Sequence, residues 1–165
     1  MLFNSLNFFI FLLIVFFLYW FVTNKSLKLQ NLLLLVSSYY FYACWDWRFL
    51  FLLAFSTGLD FYTGLKIAEG KEKAQKKMWL WISIGINLGF LGFFKYYNFF
   101  ITSFADAVAQ LGMHIDPFTL SVILPVGISF YTFHGLSYVI DIYYDRIKPE
   151  TNLVEYSVFV SFFPL

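Results

Sequence analysis

The chain has 165 residues, of which 61% are hydrophobic, 25% aromatic and only 13% charged. Soluble domains carry about a quarter charged residues, so this balance excludes an ordinary cytosolic domain and points to a bilayer. The net charge of +1 comes from basic residues confined to loops between apolar runs, which gives no basis for a nucleic-acid partner. Cys44 is the only cysteine, so neither an internal disulfide nor a cysteine-based metal site is available, and it is expected to be a small buried hydrophobe.

A helix needs about 20 largely apolar residues to cross a bilayer, or about 17 when short. Stretches near 3–22, 27–44, 48–65, 78–97 and 121–143 qualify. The first, containing "FFIFLLIVFFLYWFV", lacks a basic leader and a small-residue cleavage site, so it reads as a permanent anchor. A sixth apolar run begins at Leu153 and stops at Leu165, too short to cross. The expected fold class is all-α: a polytopic transmembrane helical protein of about five complete spans plus a truncated sixth. The apolar ending "YSVFVSFFPL" halts inside that sixth span. Residues 1–165 are therefore expected to be the N-terminal part of a single integral-membrane domain, truncated at its C-terminus.

Loop charge sets the orientation. Lys25 and Lys28 fall in the first loop; Lys66, Lys71, Lys73, Lys76 and Lys77 in the third; Arg146 and Lys148 in the fifth. Only Arg48 and Lys95 fall in the second and fourth. Cytoplasmic loops collect Lys and Arg, so the N-terminus is expected outside and "KIAEGKEKAQKK" inside. That basic run could also meet anionic lipid, although orientation alone accounts for it.

Along the chain, "WDWR" at 45–48 is an outer turn whose tryptophans anchor at headgroup level. Asp60, about two turns before the inner charge cluster, either caps or pairs with a neighbouring loop or holds a cytoplasmic entrance open, the former being preferred. "GINLGFLG" spaces Gly85, Gly89 and Gly92 along the fourth span, a weak signal for close helix contact. After it, "NFFITSFADAVAQLGMHIDP" sets Phe100, Phe104, Val108 and Leu111 at helical spacing, as in an amphipathic helix lying in the outer interface. His114 reads as a solvated loop residue.

The fifth span, "LPVGISFYTFHGLSYVIDIYY", carries titratable groups where they are costly. At 100° per residue, Gly127, Tyr131, His134, Tyr138 and Asp141 share an arc of about 80°. Ile128, Val139 and Ile142 lie opposite, and Pro125 suits a first helical turn. A stripe of this kind lines either a packed polar seam or an aqueous tunnel. Asp141 has a simpler account in pairing with Arg146. His134, midway along the span, stands between an interhelical hydrogen bond and tunnel lining. No nucleophile elbow, P-loop, HExxH or metal-ligand spacing occurs, and internal repeats and low-complexity linkers are absent.

Three stretches, "LGFFKYYNFF", "LPVGISFYTFHGLSYVIDIYY" and "IKPETNLVEYSVFVSFFP", with "LDFYTG" more weakly, resemble the N-terminal part of the membrane-bound O-acyltransferase family. The resemblance is to its bacterial branch of alginate O-acetyltransferases and teichoic-acid D-alanyl transferases, and it covers nearly the whole chain. It implies a helical enzyme of the bacterial plasma membrane, multi-pass with an extracytoplasmic N-terminus. Such an enzyme passes an acyl group, expected to be acetyl, from a cytoplasmic-side donor to hydroxyls of an extracytoplasmic polysaccharide or related envelope polymer. It implies no bound cofactor or metal, the acyl donor being a co-substrate. It also implies lipid around the protein, the polymer as acceptor, and donor-delivering or extracytoplasmic transferase proteins as partners. The family's catalytic histidine is expected beyond Leu165, so no catalytic residue is assigned within this chain. The position of His134 is often glutamine in the family, so Tyr131, His134, Tyr138 and Asp141 are assigned to tunnel lining. The competing reading is a transporter or lipid-carrier flippase with a polar intramembrane pathway. A noncatalytic membrane scaffold is a third, which leaves the polar stripe unexplained.

Overall fold

The structure, a computed structural model, describes residues 5–44, 47–110 and 127–163. Every element among them is helical. Helix α1 (Leu6–Phe17) starts at Ser5, whose hydroxyl caps the Phe8 N–H at 3.2 Å. It runs straight into a π-helical turn, Leu18–Val22. Such a turn needs outside partners for its terminal carbonyls. The Thr23 hydroxyl donates to the Leu18 and Tyr19 carbonyls, both at 3.2 Å, and Gln30 Nε2 donates to the Tyr19 carbonyl at 3.3 Å. Those bonds tie the turn to α2 (Leu27–Ala43).

Helices α3 (Trp47–Glu69) and α4 (Lys73–Gln110) form a long hairpin. Helix α5 (Ile128–Tyr143) follows Gly127, whose φ of +78° is a conformation that glycine adopts without steric penalty. Helix α6 (Leu153–Ser161) is capped by Asn152, whose side-chain oxygen accepts from the Val154 N–H at 3.0 Å. The central element is α3, packed against α2, α4, α5 and α6; α5 packs against α3, α4 and α6, and α6 also lies along α2.

Polarity is distributed inside out. Large apolar side chains face outward, among them Leu6 and Phe130, each 74% exposed, and Phe51, 68% exposed. Ser38, Thr63, Ser83 and Ser161 are fully enclosed. In water the outer surface would be a very large apolar patch; hydrocarbon removes that penalty. At one end, Lys76 pairs with Asp145 at 3.4 Å, joining the third loop to the fifth. Lys28 shares a cleft of about 290 Å³ with Asn152 and Glu155, joining the first loop to the fifth. The three lysine-bearing loops therefore converge at that end of the bundle.

Helices occupy the described parts of the five expected stretches. Among the described residues, two segments are long and apolar enough to cross a bilayer, Leu50–Glu69 and Lys73–Tyr97. The apolar helix Leu6–Val22 is shorter, as are α2 and α5, and residues 121–126 of the expected fifth span lie outside the described residues. The remaining expectations fare differently. The separate amphipathic helix is instead the continuation of α4, which has no break before Gln110 because no proline or glycine follows Gly92 in that stretch. Cys44 is exposed, not buried: it caps the C-terminal end of α2, about one turn beyond the buried Phe41. Gly85, Gly89 and Gly92 face no neighbour within 4 Å of where a Cβ would stand, so among the described residues they mediate no helix contact. Trp45, Asp46, His114 and Pro125 lie outside the described residues.

Candidate functional site

One face of α3 repeats small and polar residues at helical spacing: Ser56, Thr57, Asp60, Thr63 and Gly64, with Leu53 and Ile67 closing its ends. That face is buried against α4 and α5, and Asp60 is only 1% exposed. Its Oδ1 accepts from the Ser83 hydroxyl at 2.6 Å and from Asn87 Nδ2 at 2.7 Å, both on α4. Asn87 Oδ1 in turn accepts from the Ser56 hydroxyl at 2.7 Å, and its Nδ2 also reaches the Ser83 carbonyl at 3.1 Å. Asp60 therefore neither caps nor pairs with a loop, as the sequence reading preferred. Its place on the 53–56–60–63–67 stripe turns it inward, where the i, i+4 pair Ser83 and Asn87 supplies donors. That pair is the signal that could have revealed the network.

The other carboxylate oxygen, Oδ2, faces Gly135 of α5, where a Cβ would collide with it. One turn on, a Cβ on Gly64 would come within 2.8 Å of the Tyr138 ring. Helices α3 and α5 thus approach through two glycines, one contributed by each. Asp60 Oδ2, Thr57 Oγ1 and the hydroxyls of Tyr131 and Tyr156 are buried without a hydrogen-bond partner.

The four stripe residues of α5 have different surroundings. Tyr131 is buried, its hydroxyl unpartnered. Tyr138 is buried, packs its ring at 40° to that of Tyr156 with centres 4.4 Å apart, and accepts the Glu150 N–H at 2.8 Å through its hydroxyl. That bond pins the loop before α6, whose turn the Glu150 carboxylate continues by accepting from the Thr151 and Asn152 N–H groups. His134 is half-buried, and its Nδ1 donates to the Phe130 carbonyl at 2.9 Å. The edge of the imidazole meets Phe159, 5.7 Å between centres. Asp141 pairs with Arg146 at 3.1 Å, its simpler account. The stripe is therefore divided: Tyr131 and Tyr138 turn into the bundle, whereas His134 and Asp141 lie at its side.

A separate apolar cleft of about 310 Å³ lies between α1, α2 and the end of α6, lined by Leu12, Val15, Tyr19, Leu34 and Phe163 among others. Among the described residues no three His, Cys, Asp or Glu side chains come together as metal ligands.

This all-helical bundle, with a polar seam inside and an apolar exterior, has clear sequence relatives. Over nearly its whole length the chain is similar to bacterial O-acetylases, which bears out its resemblance to the membrane-bound O-acyltransferase family. In particular it is 40% identical over 162 residues to the probable alginate O-acetylase AlgI of Pseudomonas putida, matching 97% of this chain and 33% of that one. The AlgI of Pseudomonas aeruginosa is also 40% identical, over 97% of this chain and 31% of that one. The peptidoglycan O-acetyltransferase of Helicobacter pylori is 32% identical over 191 residues, 99% of this chain and 35% of that one. The chain thus spans about a third of the length of the curated relatives it matches. No protein-family model and no solved structure matches it.

Proposed function

We propose that the whole protein is a membrane-embedded O-acetyltransferase that moves an acetyl group from a cytoplasmic-side donor to hydroxyls of an extracytoplasmic envelope polysaccharide. The observation that carries this reading is the 40% identity to alginate O-acetylases along 97% of the chain. The second relative, named for peptidoglycan, keeps the chemistry and changes the polymer, so the acceptor class is proposed no more narrowly than an envelope polysaccharide. The inside-out polarity of the bundle and the convergence of its lysine-bearing loops support a multi-pass protein of the bacterial inner membrane with its N-terminus outside.

Acetyl transfer to a sugar hydroxyl requires a base to take the hydroxyl proton and donors for the oxyanion that forms. The base is the histidine expected beyond Leu165, and this chain contributes wall and scaffold. Tyr131, His134, Tyr138 and Asp141 line the route on α5; Tyr131 supports the reading best, because its buried hydroxyl is unpartnered. Partners in this reading are surrounding lipid, the polymer, and proteins that deliver the acetyl donor or complete transfer outside.

The test is complementation. The whole protein, expressed in a host deleted for its own polysaccharide O-acetylase, is expected to restore base-labile acetyl on the polymer. Unacetylated polymer from cells holding normal amounts of the folded protein would overturn the assignment.

A further inference from the structure

We propose that the Asp60 cluster is a binding site for an alkali-metal cation, with sodium the expected occupant; this stands independently of the acetyl-transfer reading. Asp60 is 1% exposed, and none of the ion pairs among the described residues includes it. A carboxylate enclosed in this way needs a counter-charge, because buried charges are paired, neutralised or bound to metal. Its surroundings are oxygen-rich: the hydroxyls of Ser56, Thr57 and Ser83 and the amide of Asn87, all at least nine-tenths buried. Two of these oxygens, Asp60 Oδ2 and Thr57 Oγ1, have no hydrogen-bond partner, and they stand one turn apart on the α3 face that meets α5. Gly135 lets the carboxylate pack close against α5, since a Cβ there would collide with Oδ2.

The chemistry of the donors selects the ion. An all-oxygen set suits hard cations, and the absence of clustered His or Cys among the described residues excludes a preference for softer transition metals. One carboxylate balances one charge, whereas a divalent ion would leave a net positive charge in the bundle. The Ser56 and Ser83 hydroxyls reorient by rotation about one bond, and the Asn87 amide exchanges its oxygen for its nitrogen in the same way. Asp60, Thr57, Ser83, Ser56 and Asn87 then all present oxygen. The rival counter-charge is a proton on Oδ2.

The test is thermal unfolding of the purified chain, followed by tryptophan fluorescence at fixed pH, with sodium chloride replacing choline chloride at constant ionic strength. A saturable rise in Tm of several degrees is expected. Asp60→Asn, which keeps the shape and removes the charge, should abolish the rise; Thr57→Val should move its midpoint at least 5-fold to higher sodium. A potassium series gives the selectivity, and a response to either ion that disappears in Asp60→Asn supports the site. Stability indifferent to sodium and potassium but raised by acid would assign the proton and overturn the proposal. A response that survives Asp60→Asn would overturn it as well. If Asp60→Asn does not fold, Thr57→Val and Ser83→Ala carry the test, and unchanged midpoints in both defeat it.

Discussion

At the scale of single residues, stability turns on the contact between Asp60 and Gly135. Gly135→Ala forces a methyl group into the carboxylate, an overpacking error that typically costs about 1–3 kcal/mol. Gly89→Ala on α4 meets nothing within 4 Å, so it should stabilise the chain by about 0.5–1 kcal/mol through helix propensity alone. Thermal denaturation of the two variants in one detergent checks the opposite signs. Asp60→Leu removes the acceptor for Ser83 and Asn87 and should cost more than Asp60→Asn, by about 1–3 kcal/mol for each donor stranded. In the whole protein, His134→Gln should retain much of the acetyl transfer, since an amide still donates and accepts. His134→Leu should lose more at equal protein level in the membrane. Abolition by both would make His134 the proton-transfer group, and no effect from either would make it a packing residue.

At the scale of elements, α4 is the feature that local hydropathy misjudges. Its 38 residues rise about 57 Å, nearly twice the roughly 30 Å of a hydrocarbon core, and the segment after Tyr97 extends the same helix. In a background lacking the exposed Cys44, a cysteine at Asp106 should react with a membrane-impermeant thiol reagent in intact cells, and one at Lys73 should not. The reverse labelling would invert the orientation. The bond from the Glu150 N–H to the Tyr138 hydroxyl ties α5 to the turn that starts α6. Tyr138→Phe removes it, with an expected loss of about 0.5–1.5 kcal/mol and faster amide exchange at Glu150.

At the scale of the molecule, the bundle has a polar interior and an apolar surface because its solvent is proposed to be lipid, so burial follows hydrogen bonding more than hydropathy. The chain spans about a third of its relatives' length, and the catalytic histidine is proposed to lie in the remainder. The purified 165-residue chain should therefore transfer no acetyl above a protein-free control, and measurable turnover would place the active site within it.

Helix positions were legible from residue order, because apolar runs, loop lysines and caps such as Asn152 act within a few residues of themselves. The five helical stretches and the alternate placement of basic loops follow from that local information. The division of the α5 stripe does not. Spacing puts Tyr131, His134, Tyr138 and Asp141 on one arc, but the packing of α3 and α6 decides that the tyrosines are enclosed and the other two are not. Nor does spacing join Asp60 to Ser83 and Asn87, which stand 23 and 27 residues away. Such pairing depends on how neighbouring helices rotate about their own axes. That rotation is set by the close approach at Gly64 and Gly135, which exists only once the bundle has assembled.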